Sequence, residues 1–180
     1  MNTFDDQPVL EGDTLLLRPL VSGDLQPLFD AASDPVIWAG HPARDRYKRA
    51  VFEPYFHTLL DLGGTLVVVD RVQDRVIGCS RYYTAPDMPG TISIGFTFLR
   101  AEYWGGTTNL ELKRLMLKHA FEVFDAVWFH IDPTNIRSQK ATRKLGAINA
   151  YDAGLDLSGV AAPWKCYRLT RDEWQSRETS

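Results

Sequence analysis

Two polar stretches between residues 100 and 147 have the residue types of a phosphate-binding site. Residues 104–109, Trp-Gly-Gly-Thr-Thr-Asn, precede a long helical pattern, and Asn135 and Ser138 begin a second one. A helix N-terminus has free backbone N–H groups and the positive end of the helix dipole, and both attract an anion. Gly105 and Gly106 lack a Cβ and let the backbone approach a ligand closely. Together the stretches predict a site for a long phosphorylated ligand.

The side chains of these stretches allow other interpretations. Thr107, Thr108 or Asn109 could cap the first helix or, through a hydroxyl, donate to phosphate oxygens, and Asn135 could cap the second helix. Taken alone, each stretch also fits an ordinary turn or helix cap that binds nothing. The loop is not a P-loop, because it lacks the Lys-Ser/Thr ending, and it does not match the dinucleotide pattern GxGxxG.

The bulk composition is that of a globular protein, and we expect one domain over residues 1–180. The chain has 44% hydrophobic and 24% charged residues and a net charge of −3. The acidic balance argues against a nucleic-acid partner, which needs a basic surface, and it tolerates cationic acceptors such as amines.

Cysteine usage and targeting signals predict a cytoplasmic protein. Cys79 and Cys166 form no CxxC pair and no metal-binding set with the four histidines, so we expect two free thiols and no metal. The polar, acidic N-terminus does not have the pattern of a signal peptide, and no apolar run approaches the ~20 residues of a membrane span.

Hydrophobic periodicity predicts a mixed α/β order around one sheet. Ser22 or Asp24 could cap a first helix that ends at Asp34-Pro35. The Gly-Ala-rich segment 153–163 is expected to form an interface or a disordered loop. We predict strands over residues 15–20, 65–70, 76–83, 91–99, 127–132 and 164–169, and later helices over 47–62, 109–124 and 136–144, with a last turn over 171–174.

The order and spacing of these stretches resemble the GNAT N-acetyltransferases, and more narrowly the RimJ/RimL-like branch that includes ribosomal-protein N-terminal acetyltransferases. The resemblance covers nearly the whole chain, from the Leu-Leu-Leu-Arg-Pro-Leu run at 15–20 to the strand at 164–169. Residues 76–78 are similar to the family's third strand and 94–99 to its fourth. Residues 103–106 are similar to its cofactor loop, and Asn135, Ser138 and 144–147 to its second cofactor motif.

The resemblance implies an α+β fold with helices on both faces of a mostly antiparallel sheet, splayed between the family's fourth and fifth strands. It implies that acetyl-CoA binds in that gap and that an amine of a small molecule or a protein N-terminus attacks the thioester directly. For the pantetheine, the resemblance implies contacts with backbone groups of Phe96, Phe98, Leu99 and Arg100, with Asn135 and Ser138 beside it. For the pyrophosphate, it implies contacts with Gly105, Gly106, Thr107, Thr108 and Asn109.

The chain departs from the family pattern at several positions. The family's loop reads Gln/Arg-x-x-Gly-x-Gly/Ala, whereas Trp104, Thr107 and Asn109 occupy its three defining positions here. Ser93 stands where many relatives have an acidic residue before Ile-Gly, so one candidate general base is absent. Since backbone N–H groups bind the phosphates, the loop changes need not abolish binding.

Two residues are candidates for proton transfer. Ser138 is the candidate acid that protonates the CoA thiolate, because relatives have a Ser or Tyr near this position. Alternatively, its hydroxyl only contacts CoA. The base is either a chain of water molecules or His130, since an imidazole pKa of ~6.5 suits proton transfer. His130 could also be a structural histidine. Four tyrosines are further candidates that the sequence does not rank, and His41 and His57 lie in the region that covers the acceptor in the family. The tyrosines are Tyr82, Tyr83, Tyr151 and Tyr167.

Two alternatives to an acetyltransferase remain from the sequence. The first is a non-catalytic acyl-CoA-binding module of the same fold. The second is an ATP-binding protein, which the missing Lys and Mg²⁺ ligands argue against. A homodimer is compatible with the sequence, and the acceptor pocket is expected from the variable segments 36–62, 84–90 and 148–163.

Overall fold

One sheet of eight strands organises the chain in the computed structural model, which describes residues 3–179. The sheet order is β1-β2-β3-β4-β5-β6-β8-β7. The strands are β1 (Leu10–Glu11), β2 (Leu15–Pro19), β3 (Thr65–Asp70), β4 (Arg75–Tyr83), β5 (Ile92–Leu99), β6 (Ala126–Ile131), β7 (Ile148–Asp156) and β8 (Ala161–Thr170).

Helices cover both faces of the sheet, as predicted. Side chains alternate along each strand, so that Leu66 and Val68 of β3 join one apolar core while Val67 and Val69 join the other. The helices are α1 (Leu25–Ala32), α2 (Pro35–Trp38), α3 (Arg49–Leu62), α4 (Thr108–Ala120), α5 (Ile136–Lys144) and α6 (Arg171–Glu178). The first core includes residues of α4 and α6, and the second includes residues of α1, α2 and α3.

The predicted splay of the sheet is present between β5 and β6. These strands pair in parallel, and only at Ile92↔Val127 and Ser93↔Trp128, whereas the other neighbouring strands pair antiparallel. The register of β4 against β5 shifts between Cys79 and Arg81, and Phe96 has a φ of 54°. A β-bulge turns the C-terminal part of β5, residues 94–99, away from β6. This leaves a gap between the two strands. Since β1 precedes the first predicted strand, β5 and β6 are the family's fourth and fifth strands.

The C-terminal segment corrects one prediction. Residues 153–163 are not a disordered loop, because they belong to the β7–β8 hairpin, whereas their expected role in an interface stays a prediction. The pairing runs from Ile148↔Arg168 to Asp156↔Ala161. The predicted last turn is a longer helix, α6, where Thr170 and Glu173 form a capping box. Exposed residues alternate along β7, which made its hydrophobic pattern weak in the sequence.

Helix boundaries differ from the predictions in smaller ways. Pro54 lies inside α3 without ending it, and neither Ser22 nor Asp24 caps α1 through its side chain. Asp24 accepts hydrogen bonds from Arg18 and from the Val21 N–H instead. No helix among residues 3–179 is both long and apolar enough to cross a membrane.

Candidate active site

A cavity of about 790 Å³ lies where β5 and β6 separate. Residues 94–99 of β5 form one wall, and residues 129–132, in and after β6, form the other. The cofactor loop and the first turns of α5 close one side, and residues from α2 to α3 close another. A single cavity therefore joins the predicted phosphate-binding elements to the bulge in β5.

The loop before α4 has the geometry that close approach to a ligand requires. Gly105 has a φ of 74°, and a Cβ on either Gly105 or Gly106 would meet no atom within 4 Å. Thr107 occupies the N-cap of α4 but makes no side-chain cap hydrogen bond. The first N–H groups of α4 are thus free of a side-chain cap, and the expected capping by Thr107 is not observed.

Most of the predicted site residues line this cavity. Arg100 does not, because its backbone N–H donates to Ile77 (2.8 Å) and its Nε donates to the Val76 carbonyl (3.3 Å). Thr107 and Thr108 also lie outside the lining, so their contacts with a cofactor stay predictions. The lining includes Phe98, Leu99, Gly105, Gly106, Asn109, His130, Asn135 and Ser138.

Trp104 holds the cofactor loop in place at the position where the family has Gln or Arg. Its indole Nε1 donates to the Leu99 carbonyl at 3.1 Å. The guanidinium of Arg137 lies 3.8 Å from the centroid of its ring, and Arg137 Nη2 donates to the Ile37 carbonyl at 2.9 Å. This stack joins α5, the cofactor loop and α2 across the mouth of the cavity.

The start of α5 has the predicted cap. Asn135 Oδ1 accepts a hydrogen bond from the Ser138 N–H at 3.2 Å, which confirms Asn135 as the N-cap. The Ser138 hydroxyl is half-buried, lines the cavity, and has no hydrogen-bond partner among residues 3–179. It is therefore available to a ligand.

His130 lies on the opposite wall with one ring nitrogen free. Nδ1 is 2.8 Å from the Tyr83 hydroxyl, while the buried Nε2 has no partner within the described residues. Burial lowers the pKa of His130, with Asp87 opposing the shift, so the imidazole is neutral near pH 7. The Tyr83 ring packs over Gly95, where a Cβ would lie 3.0 Å from it. Tyr83 and His130 thus bridge the gap beside the bulge.

The structure ranks the other tyrosines. Of the four candidates, Tyr83 alone lines the cavity described here. The hydroxyls of Tyr82 and Tyr167 are buried and donate to the Met116 carbonyl and to Gln139, respectively, and that of Tyr151 donates to Asp87.

Lys113 is a cavity residue that sequence reasoning missed. Its Nζ donates to Thr97 Oγ1 at 2.8 Å and to Ser80 Oγ at 3.4 Å. It forms no ion pair among residues 3–179, and burial lowers its pKa to about 7. The signal was its spacing from Met116, Leu117 and Ala120, which places it on the buried face of α4.

Two of the three segments predicted to form the acceptor pocket also line the cavity. Trp38, His41, Arg46 and Tyr55 come from the first, and Leu157 and Ser158 from the last, whereas residues 84–90 are not in the lining. Burial lowers the pKa of His41 to about 4, and the charge of Arg46 adds to the effect. His57 is exposed and lies outside the cavity. No group of three or more potential ligands in residues 3–179 could hold a metal ion.

Comparisons with known proteins agree with this geometry. Residues 14–148 match the family described as the acetyltransferase (GNAT) domain. No curated protein matches the chain by sequence.

Solved structures of similar fold cover nearly the whole chain. A GCN5-related N-acetyltransferase from Brucella melitensis has 19% identity and a TM-score of 0.79, with 98% of this chain and 85% of that chain covered. An acetyltransferase of the GNAT family from Bacillus anthracis has 14% identity and a TM-score of 0.72, with 92% and 99% covered. The ribosomal-protein-S5-alanine acetyltransferase from Vibrio fischeri has 17% identity and a TM-score of 0.64, with 93% and 99% covered.

The family match spans most of the chain, and the splayed sheet and its cavity are those that the family's fold provides. The chain belongs to the GNAT family of acetyltransferases, which implies acyl transfer from acetyl-CoA.

Proposed function

We propose that the protein is an acetyl-CoA-dependent N-acetyltransferase that transfers the acetyl group to a primary amine by direct attack on the thioester. The observation that carries the proposal is the placement of two features on one cavity. The glycine loop and the start of α4 open on one side, and His130, whose buried Nε2 has no partner among residues 3–179, belongs to the wall opposite.

The cofactor side suits an elongated, phosphorylated thioester. The backbone N–H groups around Gly105 and Gly106 bind the pyrophosphate, since the space on the Cβ side of both glycines is open for 4 Å and nothing there obstructs an approaching ligand. Lys140 and Lys144 of α5 line the same cavity and add positive charge. The pantetheine arm lies along Phe98 and Leu99 in the gap of the sheet, with Asn135 and Ser138 beside it.

The opposite wall supplies proton transfer. An amine attacks a thioester only after losing a proton, and His130 accepts that proton on Nε2 while Nδ1–H donates to Tyr83 Oη. A backbone amide near Leu99 donates to the carbonyl oxygen as negative charge develops there. The C–N bond forms and the C–S bond breaks, and the new amide nitrogen gives up its second proton. The Ser138 hydroxyl relays this proton, taking it up while donating its own proton to the departing thiolate.

The RimJ/RimL-like branch is the subgroup that we infer. Its first-strand pattern is present at residues 15–20, and the Vibrio fischeri neighbour is a ribosomal-protein-S5-alanine acetyltransferase. This supports a protein N-terminus as one acceptor class beside small amines.

A two-part experiment tests the proposal. Calorimetry measures acetyl-CoA binding, and a thiol assay measures CoA release with amino acids, polyamines, aminoglycosides and peptide N-termini. We expect binding together with acceptor-dependent thiol release. Binding without release for every amine would favour the non-catalytic acyl-CoA-binding module, and absence of binding would overturn both.

A further inference from the structure

Arg46 presents a fixed cation to the acceptor side of the cavity. It lies in the segment between α2 and α3 and is half-buried. Its guanidinium carbon is 3.7 Å from the ring centroid of Tyr55 and 5.5 Å from that of Trp38. Both rings also line the cavity. Stacking on aromatic faces orients a planar guanidinium while its N–H groups stay free to donate at the edges.

The guanidinium of Arg46 has no anionic partner among residues 3–179. Its side chain forms no ion pair or hydrogen bond there, whereas Arg49, three residues later, pairs with Glu53 at 3.0 Å. Arg137, the other stacked arginine of this cavity, donates to the Ile37 carbonyl. Arg46 is thus oriented and left without an internal acceptor.

The charge of the cavity is unbalanced toward cations. Asp132 is the carboxylate in its lining, and its Oδ1 already accepts from the N–H of Thr134 (2.8 Å) and its hydroxyl (2.6 Å). His41, beside Arg46, is neutral at pH 7 because burial and the neighbouring cation lower its pKa to about 4. The charge of Asp132 reaches the neighbouring His41, but among residues 3–179 no carboxylate forms an ion pair with the Arg46 guanidinium.

Arg46 lies near the reacting end of the cavity and is separate in sequence and layer from Lys140 and Lys144 of α5. Trp38, under Arg46, packs 5.2 Å from Phe98, centroid to centroid. Burial raises the pKa of the Cys79 thiol, and the positive charge of Arg46 opposes this shift, so Arg46 lies within electrostatic range of Cys79. Cys79 Sγ is in turn 3.6 Å from the Phe96 carbonyl at the bulge. Lys140 and Lys144 belong to the α5 side, where the phosphates are proposed to bind.

We propose that Arg46 binds a carboxylate of the acceptor, so that the preferred acceptors are amines that also carry a carboxylate. The inference rests on the proposed function. A guanidinium recognises a carboxylate through two parallel N–H···O bonds, and a carboxylate held there directs the amine of the same molecule toward His130 Nε2. The carboxylate can come from a free amino acid or from an acidic side chain beside a peptide N-terminus. Polyamines, which have no anion, are poor acceptors.

Matched acceptor pairs test this inference. Each free amino acid is compared with its carboxamide. Each peptide that has an acidic second residue is compared with the same peptide carrying Gln or Asn there. Spermidine represents the polyamines, which carry no carboxylate. The readouts are kcat/KM for thiol release and the Kd of each compound for the protein saturated with CoA. We expect at least about a tenfold preference for the acid in one pair type, which identifies the source of the carboxylate.

Substitutions at Arg46 decide whether the preference arises there. Arg46→Met retains an unbranched side chain in contact with the two rings but removes the charge, and it should abolish the preference. Arg46→Lys should retain part of the preference, and neither variant should change the Kd of acetyl-CoA. Arg44→Met, at an exposed position of the same segment, is the matched control and should change nothing.

Several outcomes overturn the inference. Equal use of acids and amides, no acid that binds the CoA complex, or a preference that survives Arg46→Met would each do so. Weaker acetyl-CoA binding by Arg46→Met would assign the cation to CoA instead. If wild-type protein does not bind acetyl-CoA, the proposed function fails; if it binds and shows no acid preference, only the role of Arg46 fails.

Discussion

The Tyr83 hydroxyl lies 2.8 Å from Nδ1 of His130, and the other nitrogen of that imidazole is buried at the cavity without a partner in residues 3–179. Tyr83 packs over Gly95 at the bulge, so its position is set by the same irregularity that opens the sheet. A hydrogen bond at Nδ1 orients the ring, and in the tautomer whose Nδ1–H donates to the Tyr83 hydroxyl, Nε2 accepts a proton. The bulge therefore makes the gap and also positions the candidate base.

The first prediction concerns His130 as the general base. His130→Gln should lower kcat about 100-fold, within the usual range for loss of a positioned base, while the Kd of acetyl-CoA stays unchanged. Tyr83→Phe should lower kcat by a smaller factor, because the imidazole remains but loses the hydrogen bond at Nδ1 that orients its ring. Steady-state kinetics and calorimetry measure both quantities. His57→Gln, at an exposed position outside the cavity, is the control; unchanged kcat in His130→Gln would assign the base to a water chain.

The second prediction concerns the pH dependence of the same step. Burial lowers the pKa of His130, so the neutral form persists to a pH below the ordinary value of ~6.5. The acid limb of kcat/KM should therefore fall below pH 6.5, with activity lost as the imidazole takes up a proton, and it should be absent from the residual activity of His130→Gln. A limb that remains at the same pH in that variant would belong to another group.

The third prediction concerns the cofactor loop. Gly106→Val should weaken acetyl-CoA binding at least about tenfold while the protein stays folded, because the added atoms occupy the space proposed for the pyrophosphate. Gly106 is the better test than Gly105, since a φ of 74° makes any side chain at Gly105 strained by about 1–2 kcal/mol even without ligand. Calorimetry gives the Kd, and thermal unfolding confirms the fold.

A matched control separates the ligand effect from the cost of a larger side chain. Gly23 also has no atom within 4 Å of its Cβ position, has no left-handed φ, and does not line the cavity. Gly23→Val should leave the Kd of acetyl-CoA unchanged. Equal affinity in the wild type and in folded Gly106→Val would remove the loop from the proposed phosphate site.

The sequence predicted those parts of the fold that depend on local patterns. The apolar run of β3, the stripe of α4 and the cap Asn135 are local signals, and each was located within a few residues. The strand β7 was missed, because its exposed residues pair with β8 at a sheet edge and leave little hydrophobic pattern.

The site was only partly predictable, because its chemistry depends on contacts between distant segments. The loop glycines and Ser138 were predicted from spacing and resemblance, and they line the cavity. Nothing local in the sequence indicates that Tyr83 meets His130, or that Arg46 stacks on Tyr55 without a carboxylate. Such relationships arise from the bulge and from packing of separate layers.

The fourth prediction concerns the hydroxyl of Ser138. Ser138→Ala should lower kcat by about tenfold or more if its hydroxyl donates the proton to the thiolate, since general acids typically contribute this much or more. The Kd of acetyl-CoA should change little, because Asn135 still caps α5 through the backbone N–H at this position. Ser33→Ala, at an exposed position after α1, is the control. A raised Kd with unchanged kcat would show a hydroxyl that only contacts CoA.

The fifth prediction concerns the buried amine of Lys113. Its pKa falls from 10.5 to about 7 through burial, so the unfolded chain binds more protons than the folded one between these values. Burial of the Lys113 amine therefore lowers the free energy of unfolding by at most a value on the order of 5 kcal/mol. This destabilisation is fully present below pH 7 and declines as the pH rises toward 10.5.

Lys113→Met should therefore raise the Tm by several degrees at pH 7. Its advantage over wild type should shrink as pH rises to 10, whereas Lys118→Met, at an exposed position of α4, should show neither effect. Urea unfolding of the three proteins across this pH range gives the difference directly. A gain that does not depend on pH would assign the effect to apolar packing rather than to the charge of Lys113.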